Sequence, residues 1–199
     1  MLGQILQISV SKGGVPKFPV LAAEVGPVGI LGDIQKNTKY HGGPRQALLW
    51  ITSEGLDELK AAGFPVYPGA MGENVTTTGI DRRVVRFGQQ WRMGEVIVEI
   101  TKMREPCATL NPYGLGTIQK AVYDPQVKAG DFTSPRWGLA GFYVSIVCLG
   151  TFAPGDPVTL LTDVEIFGYA RPDAFTVGRA RRAAPEKGYA DWKTGDAVV

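Results

Sequence analysis

Apolar and polar residues alternate partly over residues 4–10, which predicts a strand. Ser11, Lys12, Gly13 and Gly14 read as a turn and residues 19–25 as a second strand, so the chain opens on a hairpin. A long glycine-rich irregular segment covers 26–45. Residues 46–51 read as a buried strand or the start of a helix, and periodicity does not arbitrate between them. Residues 53–62 predict a short helix: Ser53 can cap it, Glu54, Asp57 and Glu58 come early, Lys60 comes late, and Gly63 can end it in a left-handed conformation. Leu56 and Leu59 give that helix one apolar edge. Pro65, Pro68 and Gly69 then force a loop. Strands are expected at 82–87 and 95–101, the latter with Val96, Val98 and Ile100 on one face and Glu95 and Glu99 on the other. A turn at 104–107, a second helix at 115–122, a strongly apolar strand at 141–148, a turn at 153–156 and a last strand at 158–161 complete the pattern. Short strands, few short helices and glycine turns together predict a mostly β chain forming a closed or nearly closed β-barrel. The barrel domain is expected over 1–162, and 163–199 as a C-terminal extension that packs on it or frays.

Composition narrows the function classes. The 199 residues fit one domain with 44% hydrophobic and 20% charged content, so a packed core is expected rather than disorder. The formal net charge of +2 is too small to predict nucleic-acid binding, and the Arg179, Arg181 and Arg182 cluster reads as solvated surface. No signal-peptide pattern opens the chain, and no apolar run approaches the roughly 18 residues of a membrane span. The two cysteines, Cys107 and Cys148, are no disulfide framework and fit a reducing, cytoplasmic setting. With one histidine beside them, a structural zinc site is not expected.

Three loops could carry chemistry. In the first, His41, Gly42, Gly43 and Arg45 stand together: the glycines let backbone approach a ligand, and Lys36, Lys39 and Arg45 could neutralise a phosphate. The same glycines would also serve a plain surface loop. In the second, Glu73 and Asn74 follow Gly72 at the mouth of a strand and could hydrogen-bond a ring system, or Asn74 could simply close a turn. In the third, Pro106 stiffens the chain before Cys107 and Arg104 lies three residues upstream. A guanidinium there would favour thiolate, the form that ligates soft metals and carries sulfur. A buried structural cysteine is the other reading. Cys148 follows Phe142, Val144 and Ile146 at period two and is expected in the core.

Read together over roughly 3–161, these pieces resemble the MOSC family, named for the C-terminal domain of molybdenum cofactor sulfurase. The resemblance rests on Gly32-Asp33, Tyr40-His41-Gly42-Gly43-Pro44-Arg45-Gln46-Ala47, Met71-Gly72-Glu73-Asn74-Val75-Thr76, Met93-Gly94-Glu95 leading into Glu99-Ile100-Thr101, and Arg104-Glu105-Pro106-Cys107. Trp137-Gly138 and Gly155-Asp156-Pro157-Val158 close it. It implies a barrel similar to the β-barrel domain of pyruvate kinase, and Cys107 as the cysteine that ligates molybdenum or accepts sulfur. The His-Gly-Gly form is similar to bacterial stand-alone members linked to detoxifying hydroxylaminopurine, related in chemistry to amidoxime-reducing enzymes. Gln35-Lys36-Asn37 departs from the acidic or alanine residues common after the Gly-Asp pair, and the C-terminal helical extension of the hydroxylaminopurine proteins is expected to be absent or much shortened.

The expected function is therefore a molybdenum-cofactor (molybdopterin) oxidoreductase independent of pyridoxal phosphate. Cys107 would ligate the metal. Gly42, Gly43, Arg45 and Lys36 would hold the cofactor phosphate, and Arg104, His41, Glu73 and Asn74 would meet the pterin or line the substrate side. The expected partners are an N-hydroxylated small molecule and an electron-donor protein, with no nucleic acid and no membrane, in a monomer or homodimer. Two alternatives stay open: a sulfur carrier using a Cys107 persulfide, and a non-catalytic binding module.

Overall fold

A computed structural model describes residues 2–36 and 42–162. His41 and the expected extension 163–199 lie outside the described residues. The strands are β1 (Leu2–Val10), β2 (Phe18–Val20), β3 (Ala23–Gly26), β4 (Gly29–Ile30) and β5 (Leu48–Thr52), followed by helix α1 (Ser53–Ala61). β6 (Val75–Thr78), β7 (Gln90–Met93) and β8 (Val96–Met103) come next, then α2 (Ile118–Val122) and α3 (Pro125–Lys128). β9 (Phe142–Cys148), β10 (Gly150–Phe152) and β11 (Pro157–Thr162) end the described chain.

Among the described residues, seven strands close a barrel in the order β11-β7-β8-β9-β5-β6-β1, with β1 pairing back onto β11. The mostly β, closed-barrel expectation holds. β5 and β6 run parallel and the other described pairs are antiparallel. β2 hangs on the far end of β1, and β10, β3 and β4 form a small side sheet.

The alternation in 96–100 becomes an inward face: Val96, Val98 and Ile100 are buried, while Ile97 and Glu99 are half-buried on the outside. Large rings fill the interior. Trp50 and Trp91 meet edge to face with centroids 5.3 Å apart, and the Trp50 indole N–H donates to Thr77 Oγ1 at 2.7 Å. β5 resolves the ambiguity at 46–51. It is buried on both faces, which explains its unbroken apolar run. Leu48 and Trp50 join the barrel core, whereas Ile51 joins a second core outside the wall with Leu56, Leu59, Met71, Leu110 and Ile118.

Several expectations need correction. Residues 82–87 are not a strand. Arg82 is buried, its guanidinium donating to Trp137 O, to Pro135 O at 2.8 Å and to Glu58 at 2.6 Å, and this clamp holds Arg82–Val84 in a 3-10 turn. The strand that pairs with β8 is the later β7, whose Trp91 and Met93 point inward. The second expected strand splits: β2 pairs with β1, and β3 turns away into the side sheet. The second helix begins only at Ile118, leaving Leu115 exposed. Cys148 is exposed, not core. A bulge at Val147 places Cys148 opposite the outward Ile97, whereas Ile146 still faces the inward Val98. Finally, Thr52 and not Ser53 caps α1, accepting from Gly55 N at 3.2 Å. Thr52→Ala is expected to cost about 1 kcal/mol of stability, read by urea unfolding; an unchanged midpoint would remove Thr52 as the cap.

Candidate functional site

β8 ends where Arg104 N donates to Gly141 O at 3.0 Å, and the chain then folds back across the outside of the barrel. Cys107 precedes a 3-10 segment, Ala108–Tyr113, whose Leu110 and Tyr113 anchor in the second core. Gln119 of α2 fixes the same loop from the side: its Nε2 donates to Cys107 O at 3.2 Å and to Asn111 Oδ1 at 2.7 Å. Cys107 therefore sits partly exposed on a loop tied down by burial and hydrogen bonds.

The electrostatics at Cys107 favour thiolate. Burial pushes the thiol up, but hydrogen bonds from Thr109 and the Arg104 charge outweigh it and hold the thiol below its ordinary value. Cys107 Sγ lies 3.0 Å from Thr109 Oγ1, and Arg104 Nη2 donates to that same oxygen at 3.5 Å. Arg104 is only 3% exposed, and its Nε and Nη1 are buried with no hydrogen-bond partner among the described residues. Tyr143 lies on the same outer wall, opposite Leu49 and Lys102 in the strand register. Burial raises its phenol, Arg104 pulls it down and Cys107 pushes it up, which places its hydroxyl within the field of both. The Thr101 hydroxyl bridges Tyr143 O at 2.9 Å and Arg45 O at 2.6 Å, so the Arg45 backbone is fixed to this wall.

Because the Cys107 thiol is depressed in the fold, its stabilisation is present above the ordinary thiol value and is lost as pH falls through the folded value. Iodoacetamide is expected to modify Cys107 half-maximally below the usual thiol range. Thr109→Val should slow modification at neutral pH by about threefold, with Thr109→Ser restoring it. Identical pH profiles for wild type and the valine variant would contradict the role given to Thr109.

Two further loops meet beside this wall. Glu73 is fully buried and accepts from Gly69 N at 2.7 Å, Met71 N at 3.1 Å and Thr76 Oγ1 at 3.3 Å. Burial raises its carboxyl against the pull of the Gly69 and Glu73 backbone N–H groups, the Arg104 charge and the Thr76 hydroxyl. Asn74 Oδ1 accepts from Leu49 N at 3.3 Å, while Nδ2 donates to Ser9 O at 3.3 Å and to Asp33 Oδ2 at 2.9 Å. Asp33 also accepts from Ser11 N at 2.8 Å and forms a buried ion pair with Lys17. Burial lowers the Lys17 ammonium even though Asp33 and Glu73 pull it up.

The structure thus brings Cys107 and Arg104 together and places Glu73 within Arg104's field. Asn74 binds its own fold, as does Glu73. Gly42 and Gly43 both take φ 86°, and a Cβ at Gly42 would collide with the Gln35 side chain, so the pair needs glycine. Arg45 and Lys36 are both exposed, Lys36 beside Gly13. A cavity of about 420 Å³ opens beside that turn, walled by Val10, Val15, Pro16, Phe18 and Gly32. None of the Cys107 loop lines it. Thr109, Tyr143 and Gln119 were absent from the expected site; alternation along β9 was the signal that would have turned Tyr143 outward. Among the described residues, no group of three or more His, Cys, Asp or Glu could hold a metal, and no helix is long and apolar enough to cross a membrane.

The sequence matches the MOSC domain family model over residues 37–159, more than half of the chain. YflK of Bacillus subtilis, an uncharacterized protein, is 28% identical over 136 residues, 67% of this chain and 56% of that protein. A Gibberella moniliformis protein named as a reductase is 28% identical over 138 residues, 67% of this chain but 22% of that one. The chain thus spans little more than half of one relative and about a fifth of the other. The crystal structure of YiiM from Geobacillus stearothermophilus superposes with a TM-score of 0.60 at 26% identity, covering 80% of this chain and 75% of that one.

Proposed function

Because the chain belongs to the MOSC domain family, we propose that it holds molybdenum cofactor at Cys107 and reduces N-hydroxylated small molecules there. The observation that carries this reading is a thiol held low beside a buried guanidinium, two of whose nitrogens have no hydrogen-bond partner among the described residues. A depressed thiol suits a soft metal, and a buried cation lacking partners suits an anionic ligand, so the residues fit the group. The Gibberella relative's name as a reductase agrees with the reaction class.

Cys107 would be the metal's protein ligand. Arg104 would face the cofactor directly. Gly42, Gly43, Arg45 and Lys36 would hold its phosphate, and His41 would meet the pterin or line the substrate side. Glu73 and Asn74 would act from beneath, keeping the 69–74 loop and Asp33 in place. When bound, the cofactor would supply two-electron, oxygen-atom chemistry at the metal. Reduction of an N-hydroxy compound to the amine consumes two electrons and two protons and releases water, and a donor protein would deliver the electrons. The chain's own contribution is to keep Cys107 as thiolate, orient it through Thr109, and present Tyr143 near the bound group.

The test is elemental analysis of protein from a cofactor-competent host, followed by turnover of hydroxylaminopurine with an artificial reductant. Near-stoichiometric molybdenum and release of the amine are expected. Protein without molybdenum would overturn the reading. A labile gain of one sulfur on Cys107 in intact mass would then assign a sulfur carrier, which draws on the same activated thiol.

A further inference from the structure

Helix α1 packs on β5 and β6 and the Pro44–Gln46 turn packs on β9, whereas no described helix makes a comparable contact with β1, β11 or β7. An antiparallel sheet face left to water normally carries polar side chains. Here three leucines stand out on it: Leu2 is 69% exposed, Leu6 43% and Leu161 43%. They follow the seam that closes the barrel, where Leu2 pairs with Thr159 and the Ile5 backbone bonds Gly155 and Asp156. Leu6 lies where the β1–β6 register shifts, and Leu161 where the β11–β7 register shifts. A single exposed leucine means little, but three along one seam make an apolar stripe that calls for a cover.

β11 ends at Thr162, one residue after Leu161, so the chain leaves the barrel on this stripe. Residues 163–199 lie outside the described residues, and the sequence there opens with Val164, Ile166, Phe167 and Tyr169, then Phe175 and Val177. We propose that 163–177 turns back over the outer wall of β1 and β11 and covers Leu2, Leu6 and Leu161 with those apolar side chains. From Thr162 back along the seam to Leu6 is about 23 Å at roughly 3.3 Å per strand residue, within reach of a segment of that length. Tethering favours this occupant over a second copy. The preceding strand holds the segment at the stripe and raises its local concentration with no cost of association. A second copy would have to bury roughly 800 Å² per partner, more than three leucines offer. The cover braces β1 against β11 from outside, whatever the Cys107 site holds.

The experiment uses the full chain carrying Leu6→Cys and follows maleimide modification by mass spectrometry, with the exposed Cys148 as internal reference. With the native tail, the thiol introduced at position 6 is expected to react about tenfold more slowly than Cys148. Adding Ile166→Asp and Phe167→Asp should bring it within about threefold of Cys148. An introduced thiol as fast as Cys148 beside the native tail would overturn the cover, as would one equally slow with and without the aspartates. If the aspartate variants fail to fold, Leu6→Asp in the otherwise native chain decides. Chymotrypsin should then cut after Phe167 about fivefold faster than in wild type, because cleavage tracks the undocked population, and an unchanged rate overturns the cover. Light scattering is run alongside across protein concentrations. Protection that rises with concentration, together with a mass of two chains, would assign the stripe to a second copy and overturn the intramolecular cover.

Discussion

Cys107→Ala protein from a cofactor-competent host is expected to carry less than about a tenth of the wild-type molybdenum, since loss of outer-sphere partners alone costs metal sites ten- to a hundredfold in affinity. The fold should survive the change. Cys107 is only partly buried and its loop is held by Leu110, Tyr113 and Gln119 rather than by the sulfur. A melting temperature within about 2 °C of wild type is therefore expected, in line with a surface substitution worth less than about 0.5 kcal/mol. The pair of readouts matters. Full molybdenum content in the alanine variant would remove Cys107 as the ligand, whereas loss of both metal and fold would make the cysteine structural.

Asp33→Ala is expected to be the most destabilising of the substitutions considered, at about 3–5 kcal/mol, because it strands a buried ammonium. Asp33 is the ion-pair partner of Lys17, and their side chains are 2% and 9% exposed. Burial already lowers the Lys17 ammonium with Asp33 present, so removing the carboxylate leaves desolvation with less to oppose it. The same change removes the acceptor of Ser11 N and leaves Asn74 Nδ2 with Ser9 O alone, untying 31–36 from the loop that carries Glu73. Adding Lys17→Met should recover a large part of the loss by removing the stranded charge, as measured by urea unfolding of the double variant. A double variant no more stable than Asp33→Ala alone would place the loss in the hydrogen bonds to Ser11 and Asn74.

The barrel was legible because its pattern is local. Val96, Val98 and Ile100 declare a face by alternation, and Leu56, Leu59 and Gly63 declare a helix and its end. What was not legible depends on pairing across distance. Val147 bulges because of its register with β8, and nothing in the apolar run 142–148 announces that Cys148 will turn outward. Arg82 leaves the extended form because Trp137, Pro135 and Glu58 converge on its guanidinium from remote positions. The candidate site divides the same way. Arg104 and Cys107 are near in sequence and meet as expected. Glu73-Asn74 has the look of a ligand-facing motif, yet Asn74 bonds Asp33 of the Gly32-Asp33 pair across 41 positions. Such residues are motif-like because a network needs them, and a single sequence does not distinguish that need from ligand contact.

Barrel closure by β1 on β11 has a consequence for synthesis. Leu2 pairs with Thr159 and Gln4 with Pro157, so β1 waits for the distant β11 before the seam can form. Until then β1 offers an open edge along 2–4, and that ladder joins the most distant segments of the described chain. Folding should be slow for a chain of this size, as contacts of long sequence separation dictate. A ribosome-bound fragment that stops short of β11 should be prone to edge-to-edge association and open to holdase chaperones, and release of the finished strand should end that vulnerability.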